Sequence, residues 1–442
     1  MLTCYNLLYC KYWRNFEFNM NYKRQLSSLI LLILSITPFI LTPFSFALDF
    51  FFLPKIIFVY LLLTFMMIIW ILNENKKFIN LNEWDSTTKI ICLYFIILSF
   101  STIFSINLHL ALWGNTLREE GFFALTAYIL LFLFAKRYFY LSDKYLEWLI
   151  LSASIISFYG ILQYFNLDFI PRDFFRADWS RMAFSTLGNP NYLGTYIVLM
   201  LPLSLYAYCK SSKFVYFVSS GLLYLGLLMT MTRGAWLGGL AGYFFIIIIS
   251  CKQKMFFKKL LLLTFIMLAI TLIFNLFESG YLINRFSTIS EDFVSVVSKA
   301  PNYQQGGSMR IILWQHTLEL IKNRPWLGYG PDTLSQAVNM LYSSDTMNIL
   351  NNKMYFDKAH NEYLQIAFAS GIPALVIYLV FLLDIIMIGF KQMEKNPMIP
   401  FVMASIIGYI VQAFFSNSIV SVAYIFWIFL GALLHLSTSS SN

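Results

Sequence analysis

Arg233 is the first residue whose type and position indicate chemistry, because it stands in a tight turn between two long apolar runs. The turn reads Met-Thr-Arg-Gly-Ala-Trp, and a charge this close to hydrocarbon is costly and by default functional. A guanidinium binds phosphate through two parallel hydrogen bonds, which makes Arg233 a candidate to hold a lipid diphosphate. An interfacial arginine whose head reaches the lipid headgroups has the same pattern, so Arg233 alone leaves both interpretations open.

Arg310 offers a second guanidinium, at the start of a predicted amphipathic helix over 309–321. The free N–H groups of a helix N-terminus also attract anions. Trp314 lies one turn further along and shares the same face of the helix. A solvated arginine packed on Trp314 is the simpler interpretation when Arg310 is considered alone.

His360 is the residue that points most directly to catalysis, and it lies in Lys-Ala-His-Asn-Glu-Tyr at the edge of an apolar run. An imidazole that titrates near neutral pH can take a proton from an attacking hydroxyl. A histidine that only hydrogen-bonds locally at a helix start is the commoner case for an isolated residue. Glu362 is expected either to orient the imidazole or to cap the helix. Because the His, Cys and carboxylate residues lack metal-ligand spacing, we expect no catalytic metal.

A second polar segment, 165–187, mixes arginines, aspartates and aromatic residues and contains Arg176 and Arg181. Such a surface suits sugars and phosphates, and it is equally ordinary at a membrane interface. The segment leads into Gly-Asn-Pro-Asn-Tyr, where Asn189 or Asn191 is expected to cap the helix that follows.

The elements that must position these residues are predicted to be membrane-spanning helices. Of the 442 residues, 59% are hydrophobic and only 12% are charged, whereas a soluble domain is about 45–50% apolar and about 25% charged. A helix needs about 20 apolar residues to cross the hydrocarbon of a bilayer. The twelve predicted spans are 25–43, 56–72, 90–105, 121–135, 145–164, 188–208, 214–231, 235–250, 260–277, 366–390, 398–415 and 419–437.

Basic residues predict how these spans are oriented. With the N-terminus inside, the predicted inside segments carry 18 Lys and Arg residues and the short outside loops carry 6, and cytoplasmic loops are the ones enriched in positive charge. Both termini are therefore predicted to be cytoplasmic, in a single membrane domain over 1–442. The net charge of +9 is dispersed around the spans, so it does not indicate binding to nucleic acid.

A polar stretch over 278–360 is predicted to be a large external loop between the ninth and tenth spans. It is expected to hold two short helices, the first of them capped by Ser308. A Pro- and Gly-rich turn at 325–331 ends the first helix. The second helix is expected to begin at Asp332 or Thr333.

The ordered motifs of this chain resemble those of the O-antigen ligase and O-antigen polymerase superfamily of polytopic bacterial membrane glycosyltransferases. The resemblance covers roughly residues 170 to 390, and it implies an all-α membrane fold similar to GT-C-type membrane glycosyltransferases. The motifs are Gly-Asn-Pro-Asn-Tyr (188–192), Thr-Arg-Gly-Ala-Trp (232–236), Arg310 with Trp314, Pro-Trp-Leu-Gly-Tyr-Gly (325–330), and His-Asn-Glu-Tyr-Leu (360–364) followed by Gly371.

This resemblance implies that a glycan passes from an undecaprenyl diphosphate carrier to an acceptor hydroxyl, on the outer face of a bacterial cytoplasmic membrane. It implies no nucleotide sugar, no cofactor and no essential metal. Arg233 and Arg310 match the arginines that hold the diphosphate, and His360 matches the histidine that activates the acceptor. The acceptor is a glycan, a lipid or a protein, since ligases, polymerases and protein O-oligosaccharyltransferases share these motifs.

Two other classes of protein stay open at this level. A polysaccharide flippase or transporter also has about a dozen spans, but it more usually has ionisable residues in mid-membrane and two related halves. In this chain Asp384 is almost the only acidic residue deep in a predicted span, and only one half carries a large loop. A non-catalytic scaffold or sensor is the other alternative, and it would not need Arg233 and His360 at the same membrane depth.

Overall fold

The computed structural model describes residues 21–42, 50–74, 84–116, 118–170, 179–254, 256–285, 287, 310–341 and 357–439. Within these residues the secondary structure is helical, with no β-strand. The predicted all-α membrane fold is therefore confirmed.

Fifteen α-helices of six or more residues occur in the described part of the chain. They are α1 (21–36), α2 (Leu53–Asn73), α3 (Ser86–Ile103), α4 (Leu108–Trp113), α5 (Phe122–Tyr138), α6 (Asp143–Tyr164), α7 (Pro190–Ser211), α8 (Phe214–Met229), α9 (Arg233–Gln253), α10 (Phe257–Phe277), α11 (Arg310–Asn323), α12 (Leu334–Leu341), α13 (Glu362–Gln392), α14 (Ile399–Ala413) and α15 (Ala423–Ser439).

Each of the twelve predicted spans coincides with one of these helices. Within the described residues, seven helices are long and apolar enough to cross a membrane, namely α2, α3, α6, α7, α9, α10 and α13, and α8, α14 and α15 are shorter apolar helices. The closely spaced runs 214–231 and 235–250 are two separate helices, α8 and α9. The number of helices that cross the membrane stays a prediction.

The centre of the bundle is α7, whose most apolar stretch is 94% buried inside the protein. By contrast, only 22% of the corresponding stretch of α2 or α10 is buried, and both helices expose large aliphatic and aromatic side chains. An apolar outer surface is expected where lipid is the solvent.

Small residues let α9 and α14 approach closely. A Cβ added at Gly238 would meet the carbonyl oxygen of Gly408 at 2.5 Å, and one added at Gly242 would meet that of Ala404 at 2.6 Å. The backbones therefore pack against each other through a small-x-x-x-small pattern, which is common where helices associate in membranes.

The predicted external loop packs on α13 through its first helix and the turn that follows. The helix predicted at 309–321 is confirmed as α11, and the short second helix is confirmed as α12. Ser308 lies outside the described residues. Buried side chains of α11, including Leu313 and Leu320, form an apolar cluster with Phe368 of α13.

The turn after α11 is held by a kink in α13. Gly371 interrupts this helix with a φ of 84°, and Pro373 has no N–H to donate to the carbonyl of Ala369. The N–H groups of Gly330 and Tyr329 instead donate to the carbonyls of Ala369 and Phe368, at 2.9 and 3.0 Å. The carbonyls exposed by the kink are thus satisfied by the loop, which positions the loop on α13.

Candidate functional site

One end of the bundle gathers the connections that carry the candidate residues. These are the segments between α4 and α5, between α8 and α9, before α13, and between α14 and α15. Side-chain contacts join three of these segments to one another and to the start of α7. We call this end the site end.

His360 sits immediately before the N-cap of α13. Asn361 caps this helix, because its Oδ1 accepts hydrogen bonds from the N–H groups of Tyr363 (3.0 Å) and Leu364 (3.1 Å). His360 itself has a φ of 49°, in the left-handed region that a residue other than glycine adopts at some energetic cost. Its half-buried ring places Nδ1 3.3 Å from Nδ2 of Asn417, in the connection between α14 and α15.

Trp314 connects α11 to the residue before His360. Its Nε1 donates a 3.0 Å hydrogen bond to the carbonyl of Ala359, whose own N–H donates to Oε1 of Gln365 at 2.9 Å. The predicted pairing of Arg310 with Trp314 on one helix therefore brings the charge of Arg310 towards His360.

The imidazole of His360 is neutral at physiological pH. Burial lowers its pKa to about 4, and the nearby positive charges of Arg310 and Arg118 act in the same direction, whereas Asp357 opposes them. An imidazole that is partly withdrawn from water and lies in the field of guanidiniums resists protonation, because its charged form would be both desolvated and repelled. His360 is thus present in the form that accepts a proton.

A buried ion pair joins the segment before His360 to the α4–α5 connection. Nε and Nη2 of Arg118 both lie 2.5 Å from Oδ2 of Asp357, and Nη1 donates to the hydroxyl of Tyr192 at 2.5 Å. The guanidinium also lies 6.0 Å from the ring centroid of Phe52. Arg118 therefore joins the start of α7 to the peptide that carries His360.

Lys358 forms a second buried cluster with two carboxylates. Its Nζ lies 2.9 Å from Oε2 of Glu120 and 2.9 Å from Oδ1 of Asp332. Burial by itself would lower the pKa of Lys358, but the two carboxylates raise it above its ordinary value, so the ammonium keeps its charge. Oε1 of Glu120 also accepts a 2.6 Å hydrogen bond from Ser418, which is the neighbour of Asn417.

Glu362 is turned into the bundle. Its carboxylate accepts hydrogen bonds from the hydroxyls of Tyr378 (2.9 Å) and Tyr409 (2.8 Å), which joins α13 to α14. The helix cap comes from Asn361 rather than Glu362, and Nδ1 of His360 faces Asn417. A supporting role for Glu362 in the site stays a prediction.

The predicted cap of α7 is confirmed at Asn189, whose Oδ1 accepts from the N–H of Asn191 at 2.8 Å. Asn191 also donates its own amide to this oxygen, at 3.2 Å. The cap fixes the direction in which the chain enters α7. Tyr192, which contacts Arg118, follows three residues later. Both asparagines therefore shape the site end, and a direct role in binding stays a prediction.

Arg233 is the first residue of α9, at the site end, and its side chain is half-buried. Its neighbour Gly234 packs so closely on the α14–α15 connection that an added Cβ would lie 2.8 Å from Cβ of Phe415. A Cβ at Gly194 of α7 would lie 2.6 Å from Cβ of Ala235. Gly194 and Gly234 therefore bring the starts of α7 and α9 together beside the connection that carries Asn417.

Arg176 and Arg181 of the 165–187 segment are the two arginines predicted to support the site. Arg176 lies outside the described residues. Arg181 is 77% exposed, and its Nη1 lies 3.9 Å from Oε2 of Glu278, at the end of α10. A supporting role in the site stays a prediction for both arginines.

Several residues that build the site end have no motif that marks them in the sequence. Arg118 is one of the six basic residues of the predicted outside loops, and no pattern predicts the roles of Glu120, Lys358 and Asn417. A signal was present in Arg-Glu-Glu at 118–120, three ionisable residues in succession in a chain that is only 12% charged. Nothing local distinguishes Asn417, since it stands in an ordinary polar connection.

Together, the fold and the site define an all-helical, multi-pass membrane protein with a polar site at one end of its bundle. The site combines a neutral imidazole with guanidiniums, an arrangement that suits proton removal from a hydroxyl beside an anionic group. The described residues contain no group of three His, Cys, Asp or Glu side chains placed to hold a metal ion.

Comparison with known proteins finds matches to the O-antigen ligase family and to an O-oligosaccharyltransferase. The O-antigen ligase family model matches residues 218–379, a range that contains Arg233, Arg310, Trp314 and His360. Over 199 residues the chain is 27% identical to the general O-oligosaccharyltransferase of Acinetobacter baylyi (strain ATCC 33305 / BD413 / ADP1). That alignment covers 44% of this chain and 33% of the relative. The resemblance to the O-antigen ligase superfamily is confirmed by these matches.

Proposed function

We propose that this protein is a membrane glycosyltransferase of the O-antigen ligase type. It transfers an oligosaccharide or polysaccharide from an undecaprenyl diphosphate carrier to an acceptor hydroxyl. The observation that carries the proposal is the neutral imidazole of His360 held near the positive charge of Arg310, inside the segment that matches the O-antigen ligase family.

In the proposed reaction, His360 removes the proton of the acceptor hydroxyl as its oxygen attacks the anomeric carbon. The bond from that carbon to the diphosphate oxygen breaks, and the leaving diphosphate keeps the electron pair. A single displacement of this kind inverts the anomeric centre. Arg233 and Arg310 bind the diphosphate and stabilise the negative charge that develops on it in the transition state.

The distribution of lysines supports an external position for the site. At the opposite end of the bundle Lys136, Lys210 and Lys213 pair with acidic residues at the starts of neighbouring helices, and positive charge marks cytoplasmic ends. On this orientation both termini are cytoplasmic, and the predicted 278–360 loop is external to the cytoplasmic membrane.

A second candidate, O-oligosaccharyltransferase, is favoured by the description of the Acinetobacter baylyi relative. The chemistry at His360 would be the same, and the acceptor hydroxyl would belong to a protein. Purified enzyme in vesicles with a lipid-linked glycan separates the two candidates. Glycan transferred to a glycolipid supports the ligase, and glycan transferred to Ser or Thr of a protein supports the second candidate.

The decisive experiment is a glycan and lipid-carrier profile of cells whose only copy carries His360→Ala. We expect carrier-linked glycan to accumulate, as long polymer for a ligase or as single units for a polymerase. His316→Ala is a matched control, because His316 lies in α11 with its ring beside the exposed Glu319, and we expect it to leave the profile unchanged. A wild-type profile for His360→Ala, with the protein present in the membrane, would overturn the proposal.

A further inference from the structure

Asn417 is the side chain that contacts the ring of His360. Its amide lies 3.3 Å from Nδ1, and the residue is only 7% exposed. Within the described part of the chain, the amide oxygen Oδ1 is buried without a hydrogen-bond partner. Leaving such an acceptor unpaired is costly, which calls for a physical reason.

The orientation of this amide decides which ring nitrogen of His360 can act as a base. If the amide nitrogen donates to Nδ1, the ring proton must reside on Nε2, and Nε2 then has no lone pair to offer. A half-turn of the amide about its Cβ–Cγ bond exchanges nitrogen and oxygen positions that have nearly the same shape. Oδ1 then accepts Nδ1–H, and Nε2 is free to take a proton.

Both partners of this contact are anchored to the same buried cluster. Lys358 and Ser418 each contact the carboxylate of Glu120, at 2.9 and 2.6 Å. Lys358 stands two residues before His360, and Ser418 directly follows Asn417. The separation of imidazole and amide is thus set by a rigid network rather than by two independent loops.

We propose that Asn417 is a positioning residue for the transfer reaction, whose amide oxygen accepts Nδ1–H of His360 and leaves Nε2 unprotonated towards the acceptor hydroxyl. The inference rests on the proposed role of His360 as the base. In the reaction the hydroxyl proton moves to Nε2, the acceptor oxygen bonds to the anomeric carbon, and the diphosphate leaves with its electron pair. The hydrogen bond from Nδ1–H to the amide oxygen of Asn417 stays intact and helps to stabilise the imidazolium that forms.

The charged groups around His360 cannot replace this role. Arg310 from α11, Arg118 from the α4–α5 connection and Asp357 from the preceding segment set how readily the ring takes a proton. The charge of Lys358 is matched by Glu120 and Asp332. Asn417 is uncharged, and it is the group in hydrogen-bond contact with Nδ1, so it selects the nitrogen that carries the proton.

Nitrogen-15 NMR of the full chain labelled at histidine tests the tautomer without reference to activity. The sequence has four histidines, and His360→Gln assigns the signal of interest by its loss. At neutral pH we expect Nδ1 of His360 to be protonated and Nε2 to be bare. We expect Asn417→Leu to weaken this preference. A wild-type ring protonated at Nε2 would overturn the inference.

Kinetics of the purified enzyme provide a second test. Asn417→Leu is expected to lower kcat by about 10- to 100-fold, similar to the loss that follows when the partner that orients a metal-bound imidazole is removed, with the KM for the donor within about twofold of wild type. Asn417→Asp places a carboxylate on the ring and is expected to move the acidic limb of the pH profile up by about 1–3 pH units. A wild-type kcat and pH profile in both variants would contradict the inference.

Two controls separate this inference from the proposed function. If His360→Gln keeps wild-type activity, His360 is not the base and the proposed function fails. If His360→Gln is inactive while Asn417→Leu is fully active, only the role of Asn417 fails. Asn396→Leu serves as the matched control, because the amide oxygen of Asn396 accepts a hydrogen bond from the N–H of Met398 just before α14, at the other end of the bundle, and we expect its kcat to equal that of wild type.

Discussion

The two ends of the helix bundle both carry ion pairs, but in opposite environments. At the end away from the site, Lys210 lies 2.6 Å from Asp143, and the two side chains are 46% and 68% exposed. At the site end Lys358 lies 2.9 Å from both Glu120 and Asp332, and none of the three side chains is more than 4% exposed. The pairing of a lysine with a carboxylate is therefore exposed to solvent at one end and buried at the other.

Exposed pairs contribute only about 0–1 kcal/mol each, so those at the end away from the site add little to the stability of the fold. The buried cluster at the site end is costly to desolvate and is poor evidence for net stability. Its value lies in geometry, because it connects the α4–α5 connection, the start of α12, the peptide before His360 and the connection that carries Asn417.

The largest effect should come from Lys358→Met. This change leaves Glu120 and Asp332 buried without their counter-charge, and removal of one partner from a buried pair costs about 3–5 kcal/mol. We expect the free energy of unfolding in mixed micelles to fall by that amount. Lys213→Met removes one member of an exposed pair at the other end, and it should cost no more than about 1 kcal/mol. Equal losses would remove the distinction between the two ends.

Arginine substitutions should lower the transfer activity at the site end and leave it unchanged at the other end. Arg310→Ala or Arg233→Ala is expected to lower kcat by about 10²- to 10³-fold, the range for losing one donor to transition-state charge. Arg137→Ala is the matched control, because Arg137 pairs with Glu74 at the end away from the site. Transfer rates in vesicles with a lipid-linked glycan measure the effect. Comparable losses for Arg137 and Arg310 would contradict a phosphate role confined to the site end.

The pH dependence of the free enzyme should reflect the environment of His360. Its pKa of about 4 means that protonation removes the base only as the pH falls through 4. About nine-tenths of the neutral form should remain at pH 5, whereas a histidine with the ordinary pKa of about 6.5 would retain roughly 3%. The acidic limb of kcat/KM, which titrates the free enzyme, is therefore expected near pH 4. A limb near 6.5 would show that the ring is solvated or unaffected by Arg310.

The smallest expected effect concerns the hydrogen bond from Trp314 to the carbonyl of Ala359. Trp314→Phe keeps an aromatic ring and removes the donor, at a cost of about 0.5–1.5 kcal/mol. We expect a small loss of stability together with a raised KM for the donor, since α11 carries Arg310. Unchanged stability and kinetics would show that α11 is positioned by its apolar contacts with α13 alone.

Much of the architecture could be predicted because it depends on neighbours within a turn or two. An apolar run such as 214–231 has to form a helix in lipid, where every backbone polar group needs an internal partner, and it is observed as Phe214–Met229. The cap at Asn189 and the two helices of the large loop follow from similarly local rules. His360 and the two arginines could be singled out because a polar group beside hydrocarbon is unusual.

What the sequence by itself determined is thus the helices, their order and the polar residues at their ends. The tertiary structure decided which of those ends meet. Lys358 and Glu120 are 238 residues apart in the chain, and His360 and Asn417 are 57 apart. No local pattern encodes such pairs, because a turn or a cap depends on adjacent residues, whereas these contacts exist only after helix packing has brought distant connections to one end of the bundle.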